Sequence, residues 1–96
     1  MKKFMFLHYG FEKPTPEIMT AWGKWFDAMK DNIVDMGDRF SGGREISKAG
    51  TRDLPQGRES ITGFTVVSAD SLEDAERMAR SNPYISSIRV YEMTSK

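Results

Sequence analysis

One histidine, His8, occurs among the 96 residues, and its side chain is the one best suited to proton chemistry. An imidazole has an ordinary pKa of about 6.5, so it gains or loses a proton near neutral pH without help from its surroundings. His8 lies near the end of an apolar run and directly precedes Tyr9 and Gly10. Two interpretations stay open: a general acid or base that faces a cavity, or a strand-end histidine that hydrogen-bonds the backbone or a carboxylate. We retain His8 as a candidate catalytic residue.

Two aspartates, Asp35 and Asp38, flank Gly37 at the point where a helix is predicted to end. A carboxylate is poorly placed there, because the C-terminal end of a helix already carries partial negative charge. This mismatch favours another role, such as pairing with Arg39 or with His8. We therefore retain Asp35 as a second candidate catalytic residue, with a solvated turn as the alternative interpretation.

Large aromatic side chains supply the candidate ligand-binding residues. Trp22 and Trp25 are three positions apart on a predicted helix, so they are neighbours that do not point in the same direction. One of them could pack in the core while the other borders a cavity, although both could equally be ordinary core residues. The full candidate ligand-binding set is Tyr9, Trp22, Trp25 and Phe64.

The composition excludes several kinds of site and partner. No cysteine is present, so disulfides and thiolate metal sites are impossible, and one histidine cannot build a multi-histidine zinc site. The 14 basic residues balance 14 acidic ones, which argues against nucleic-acid binding. The apolar run near the N-terminus is too short for a signal peptide or a membrane span. We expect no metal, no cofactor, no nucleic-acid or membrane contact, and a cytoplasmic location.

Patterns in the first half of the chain predict the elements that would position these side chains. Residues 4–9 are apolar on both faces, which predicts a central strand. Apolar residues then recur at steps of three and four from Ile18 to Met36, which predicts one long helix. Thr15 is the predicted cap at the start of this helix, and Gly37 is the predicted stop.

The remaining elements follow in a regular order. Residues 40–49 predict an irregular edge strand, and residues 50–58 predict a polar hairpin loop. Residues 61–67 are β-branched and apolar on both faces, which predicts a second central strand. Asp70 begins a helix-capping pattern that leads into a second helix ending near Ser81.

A final strand is predicted over residues 87–93, which completes a β-α-β-β-α-β order. This is the order of the ferredoxin-like fold, an α+β fold with a four-stranded antiparallel sheet and two helices on one face. We predict one domain spanning residues 1–96. The uncovered face of the sheet would carry apolar rows, and bare patches of that size mark interfaces. A chain of this length also has a thin core. We therefore predict a homodimer formed through the open sheet face.

Several stretches resemble the YCII-related family, and together they cover nearly the whole chain. These stretches are Phe6-Leu7-His8-Tyr9-Gly10, Pro16 to Trp22, Trp25-Phe26, Ile61-Thr62-Gly63-Phe64, Ala69 to Ala75 and Asn82-Pro83-Tyr84. The resemblance implies a dimeric α+β barrel, in which two ferredoxin-like sheets enclose a cavity. Proteins of that architecture include cofactor-free monooxygenases, chlorite dismutase-like haem proteins, muconolactone isomerases and a dechlorinating member of the YCII group.

The family's better-known branch places a histidine in the first helix and pairs it with an aspartate. Alignment by spacing puts Trp25 at the position of that histidine, and the predicted helix contains no histidine at all. The dyad therefore cannot be carried over, and any catalysis would depend on other residues.

Two functions stay open on this basis. The first is a homodimeric module that binds a small organic molecule or serves assembly, and the missing nucleophile, metal set and phosphate loop favour it. The second is a small cofactor-free enzyme (an isomerase, a lyase or dehalogenase, or a monooxygenase-like protein) with His8 as general acid or base.

Overall fold

The structure is a computed structural model, and it describes residues 1–94. Its elements are β1 (Lys2–Tyr9), α1 (Pro16–Met29), β2 (Ile33–Asp35), β3 (Gly43–Ser47), β4 (Gly50–Leu54), β5 (Ile61–Ala69), α2 (Leu72–Arg80) and β6 (Ser87–Met93). Four strands form one antiparallel sheet in the order β2-β5-β1-β6, and β3 pairs with β4 in a separate hairpin. The predicted central strands β1 and β5 and the predicted edge strand β6 are confirmed.

Helix α1 begins as predicted and ends seven residues earlier than predicted. The Thr15 hydroxyl accepts a hydrogen bond from the Ile18 backbone N–H at 3.2 Å, and Pro16 occupies the first turn. The helix ends at Met29, and the chain then enters the sheet. Asn32 exchanges hydrogen bonds with Ser68 of β5, because its carbonyl accepts from the Ser68 N–H at 2.7 Å and its side-chain amide donates to the Ser68 carbonyl at 2.9 Å. The prediction of helix from residue 30 to residue 36 is wrong, since pairing with β5 outweighs the helical spacing.

The edge strand next to β5 is β2, so the prediction that residues 40–49 form this edge is wrong. Residues 43–47 pair with residues 50–54 instead, and the first half of the predicted loop over 50–58 is therefore strand β4. The chain after β2 continues along β5 without regular pairing. Its Gly37 has a φ of +77°, and a Cβ there would lie 1.6 Å from the Phe64 carbonyl oxygen. Glycine at this position is thus a requirement of close backbone approach and not a helix stop.

The core lies between one face of the sheet and both helices. It consists of Phe4, Phe6, Val67 and Ala69 from the sheet, Trp25 from α1, and Ala75 and Ala79 from α2. Because both helices contribute to one cluster, they cover the same face, as predicted. Helix α2 is capped by Ser71, whose hydroxyl accepts from the Asp74 N–H at 3.2 Å, so the prediction of Asp70 as the cap is wrong by one residue.

The opposite face of the sheet has no covering element within residues 1–94. Its rows alternate with the core rows, so it carries Met5, Leu7 and Tyr9 from β1 and Phe64 from β5. Tyr91 of β6, directly opposite Met5, is 53% exposed. No helix of the described residues is long and apolar enough to cross a membrane.

Candidate functional site

A cavity of about 590 Å³ lies beside α1 and is bordered by strands β1 and β5 and by the segment that follows β2. His8, Trp22 and Phe26 contribute to its wall on the side of the helix. Phe64 and Met36 contribute from β5 and the edge segment. The wall is therefore mostly apolar and aromatic, which is the usual character of a small-molecule site.

His8 extends from the end of β1 toward the helices and is only 8% exposed. Its Nε2 lies 2.9 Å from the Thr65 hydroxyl oxygen. The same hydroxyl lies 3.4 Å from the Met36 carbonyl oxygen, which can only accept. Thr65 therefore donates to Met36 and accepts from His8, an arrangement that places the imidazole proton on Nε2. The other ring nitrogen, Nδ1, is then an acceptor.

The Nδ1 atom of His8 is fully buried and has no hydrogen-bond partner among the described residues. Buried polar atoms in proteins are nearly always paired, and an unpaired one costs about 1–3 kcal/mol. A glycine, Gly63, stands opposite His8 on β5, and the Asp38 backbone lies against it, 2.9 Å from where a Cβ would be. One buried acceptor on a residue that lines the cavity is thus left unsatisfied by the described residues.

Burial lowers the pKa of His8 from the usual 6.5 to about 4. The cause is desolvation, which disfavours the charged imidazolium. His8 is therefore neutral at pH 7. A neutral buried imidazole accepts a hydrogen bond well but is a weak base, because burial disfavours its protonated form.

The two tryptophans have different environments, as one of the sequence interpretations expected. Trp22 lines the cavity, and its ring meets His8 edge-on at 4.9 Å between centroids. Trp25 is only 4% exposed and belongs to the core. Its indole N–H donates to the Met78 carbonyl at 3.0 Å and to the Ser81 hydroxyl at 3.2 Å, which ties α1 to α2. Trp25 lies outside the cavity lining.

Of the other candidate residues, one lines the His8 cavity and two do not. Phe64 lines the cavity and stacks against Phe40 at 5.9 Å. Tyr9 lies on the opposite face of the sheet, under the guanidinium of Arg89 at 4.6 Å, and borders a separate surface depression. The Asp35 carboxylate accepts from the Gly37 N–H at 2.8 Å in a local turn, and it is not among the residues that line the His8 cavity.

Sequence reasoning missed Thr65, which orients the only histidine. Thr65 is 1% exposed, and it stands opposite Phe6 on the core face of β5. A threonine within a predicted buried strand is the one signal that could have singled it out. Within residues 1–94, no three histidine, aspartate or glutamate side chains converge in a way that could hold a metal ion.

Comparisons with known proteins first define the class of fold. No protein-family model matches the sequence, and no curated protein matches it either. Among solved structures, similar chains share its α+β fold.

One similar structure is that of 5-chloro-2-hydroxyhydroquinone dehydrochlorinase (TftG) from Burkholderia phenoliruptrix AC1100, in complex with 2,5-dihydroxybenzoquinone. The TM-score is 0.55 and the sequence identity 12%, with 98% of this chain and 95% of that chain covered. At this identity the likeness shows the fold alone.

Proposed function

We propose that this chain binds a small, flat organic molecule whose hydroxyl or N–H group donates a hydrogen bond to His8 Nδ1. The observation that carries the proposal is the buried, unpaired Nδ1 of a histidine that lines an aromatic cavity. A ligand that donates to this atom relieves the cost of leaving it unsatisfied, whereas an isosteric ligand without a donor does not. The cavity therefore favours an aromatic or quinonoid ring that bears a hydroxyl group.

The dimensions and surface of the cavity agree with such a ligand. Its volume of about 590 Å³ falls within the usual range for small-molecule sites, about 300–1,000 Å³. The rings of Trp22 and Phe26 lie 5.8 Å apart at an angle of 35° and offer an apolar wall to a planar molecule. The ligand in the similar solved structure, 2,5-dihydroxybenzoquinone, is a planar ring with hydroxyl groups and belongs to the same chemical class.

A cofactor-free enzyme is the second candidate. Its support is that His8 is neutral and desolvated, so it could take a proton from an acidic hydroxyl during an isomerisation or an elimination. A pKa of about 4 makes it a weak base, however, because burial disfavours the imidazolium. We therefore rank ligand binding above catalysis for this site.

The assembly that we propose is a homodimer of the YCII-related family type, closed through the open sheet face. The sequence resemblance and the similar barrel-type fold support family membership. The apolar row of Met5, Leu7 and Phe64 supports the choice of face, because a second copy would remove it from water.

The test compares 2-naphthol with 2-methoxynaphthalene, which has the same ring but no donor. Calorimetry on the full chain should give tighter binding of 2-naphthol by about fivefold or more, the value of one net hydrogen bond. In the His8→Phe variant this preference should disappear, because the acceptor is gone. The His8 Nδ1 resonance in ¹⁵N NMR should shift with 2-naphthol and hardly at all with the ether.

Two results would overturn the binding proposal. One is equal affinity for the two naphthalenes in the unmodified protein. The other is a preference for 2-naphthol that persists in His8→Phe. Chloride release from 5-chloro-2-hydroxyhydroquinone tests the enzyme candidate. If the unmodified protein releases chloride and His8→Phe does so more slowly, catalysis would rank above ligand binding.

A further inference from the structure

The hairpin β3–β4, residues 43–54 and hereafter the arm, stands apart from the body of the protein. Every residue in it is exposed, and Ile46 is 81% exposed. Two cross-strand ion pairs, Arg44–Asp53 and Glu45–Arg52, are its main internal contacts between side chains. Exposed ion pairs contribute little, and a lone two-stranded hairpin is marginally stable in water. Such a hairpin is typical of an element that docks on another surface.

The shape of the molecule agrees with a projecting arm. The principal extents are 41 × 40 × 18 Å, and the Cα radius of gyration is 14.4 Å. A compact chain of this length would have a radius of gyration of about 12.5 Å. Each strand of the arm is roughly 17 Å long, at about 3.4 Å per residue. A projection of this length accounts for the large radius of gyration.

The opening of the His8 cavity is a second feature that leaves apolar side chains exposed. Five apolar side chains line the cavity and are also 39% to 65% exposed: Phe11, Met19, Met36, Phe40 and Ile85. We call this set the mouth. A ring of large apolar side chains around one opening is a surface that an apolar group from elsewhere would cover.

The arm begins two residues after Ser41, which lines the same cavity. Its root therefore lies beside the mouth, yet its own Ile46 is directed into solvent and does not close the cavity of its own chain. In an isologous dimer, a contact between the arm of one copy and the mouth of the other occurs twice, once in each direction. Phe64 belongs both to the cavity lining and to the open face, so the mouth is continuous with the surface proposed to pair.

We propose that the arm of each copy closes the cavity of the other, with the partner's Ile46 seated in the mouth. The arm brings little unpaired charge to an apolar opening, because four of its five charges pair with one another and the fifth, Lys48, lies in the turn. The ligand site is then complete only in the dimer. This proposal rests on the proposed function, because it concerns the cavity that holds the ligand.

The first experiment measures 2-naphthol binding in Ile46→Asp. The affinity should fall by about tenfold, because an aspartate cannot enter the mouth without losing its hydration. Ile46→Leu should restore the affinity, since it returns an apolar side chain of equal size. The matched control is Leu72→Asp on α2, an apolar residue 49% exposed and outside the cavity lining, which should bind as the unmodified chain does.

The second experiment tests whether the arm acts on its own cavity or on that of its partner. His8→Phe has an intact arm and a disabled cavity, while Ile46→Asp has the reverse. When the two variants are mixed and allowed to exchange subunits, about a quarter of all cavities should regain tight 2-naphthol binding, because hybrid dimers join an intact cavity to an intact arm.

The outcomes separate this proposal from the proposed function. If the unmodified protein shows no preference for 2-naphthol over the ether, the proposed function fails. If it shows that preference but Ile46→Asp binds equally well, the arm does not close the cavity. If Ile46→Asp binds weakly and mixing restores nothing, the arm acts on its own chain, and closure by the partner is overturned.

Discussion

At the scale of single residues, the decisive property of the site is the neutral state of His8. Histidines on protein surfaces change charge near pH 6.5, but this one is buried between Thr65 and Trp22 and has a pKa of about 4. The same burial leaves Nδ1 unpaired. Sequence reasoning singled this residue out as a proton carrier, and the proposed function uses it as a hydrogen-bond acceptor instead.

The lowered pKa of His8 predicts a dependence of stability on pH. The unfolded chain binds a proton near pH 6.5 and the folded chain only near pH 4, so the folded state is at a disadvantage as the pH falls through this window. The His8 contribution should be level above about pH 6.5, decrease by roughly 3 kcal/mol down to about pH 4, and level off below that value.

Urea unfolding of the unmodified chain and of His8→Phe at several pH values measures this contribution. The difference between the two free energies of unfolding isolates His8 from the carboxylates, which titrate in both proteins. A difference that stays constant from about pH 7.5 to about pH 4.5 would mean that the histidine is not desolvated.

At the scale of elements, the segment after β2 forms one wall of the cavity and depends on close packing against β5. The Arg39 backbone bridges to Gly63, and the Phe40 N–H donates to the Thr62 carbonyl at 2.8 Å. Gly63 has no room for a side chain either, because a Cβ there would lie 2.9 Å from the Asp38 carbonyl oxygen. Glycines on both sides of this contact therefore let the wall approach the strand.

Alanine substitutions at two glycines should change the free energy of unfolding in opposite directions. Gly37→Ala should lower the free energy of unfolding by roughly 2–4 kcal/mol, since a Cβ would meet the Phe64 carbonyl and the φ of +77° is strained for alanine. Gly23→Ala in the middle of α1 has open space around it and should raise the free energy of unfolding by about 0.5–1 kcal/mol. Thermal unfolding followed by circular dichroism compares the two variants. Equal changes in the free energy of unfolding would contradict the close approach at Gly37.

At the scale of the whole molecule, a sheet with helices on only one face leaves an apolar face for the proposed second copy. The structure is 18 Å thick along its shortest axis, which corresponds to one sheet and one layer of helices. The apolar residues on the bare face belong to all three strands β1, β5 and β6. Dimerisation would cover them and would also bring each arm to the other copy.

Sedimentation equilibrium should therefore give a mass twice the chain mass of 11.0 kDa at low micromolar concentration. Tyr91→Asp, on the open face, should shift the protein toward monomer, because a carboxylate would be buried without a partner at the interface. Leu72→Asp places the same charge on α2 and should leave the mass unchanged. A monomeric unmodified protein at this concentration would contradict pairing through the open face.

Sequence patterns predicted the parts of the fold that depend on neighbours along the chain. The cap at Thr15, the two central strands and the final strand were all predictable, because local propensity and alternation act over a few residues. The same reasoning failed at Ile33 and Met36, whose spacing fits a helix as well as the strand and turn that they occupy. Residue spacing cannot report that β5 offers a free edge to this segment.

The amino-acid sequence by itself determined the two central strands and the final strand, the end of the strand on which His8 lies, and the presence of aromatic side chains on α1. Only the tertiary structure decided which of these groups meet. Register between β1 and β5 places Thr65 within reach of His8, and the alternation of faces directs Tyr9 away from the cavity. Helix packing buries Trp25 and leaves Trp22 beside the histidine. The physical reason is that these contacts join residues far apart in the chain, and no local pattern encodes the register or the face that brings them together.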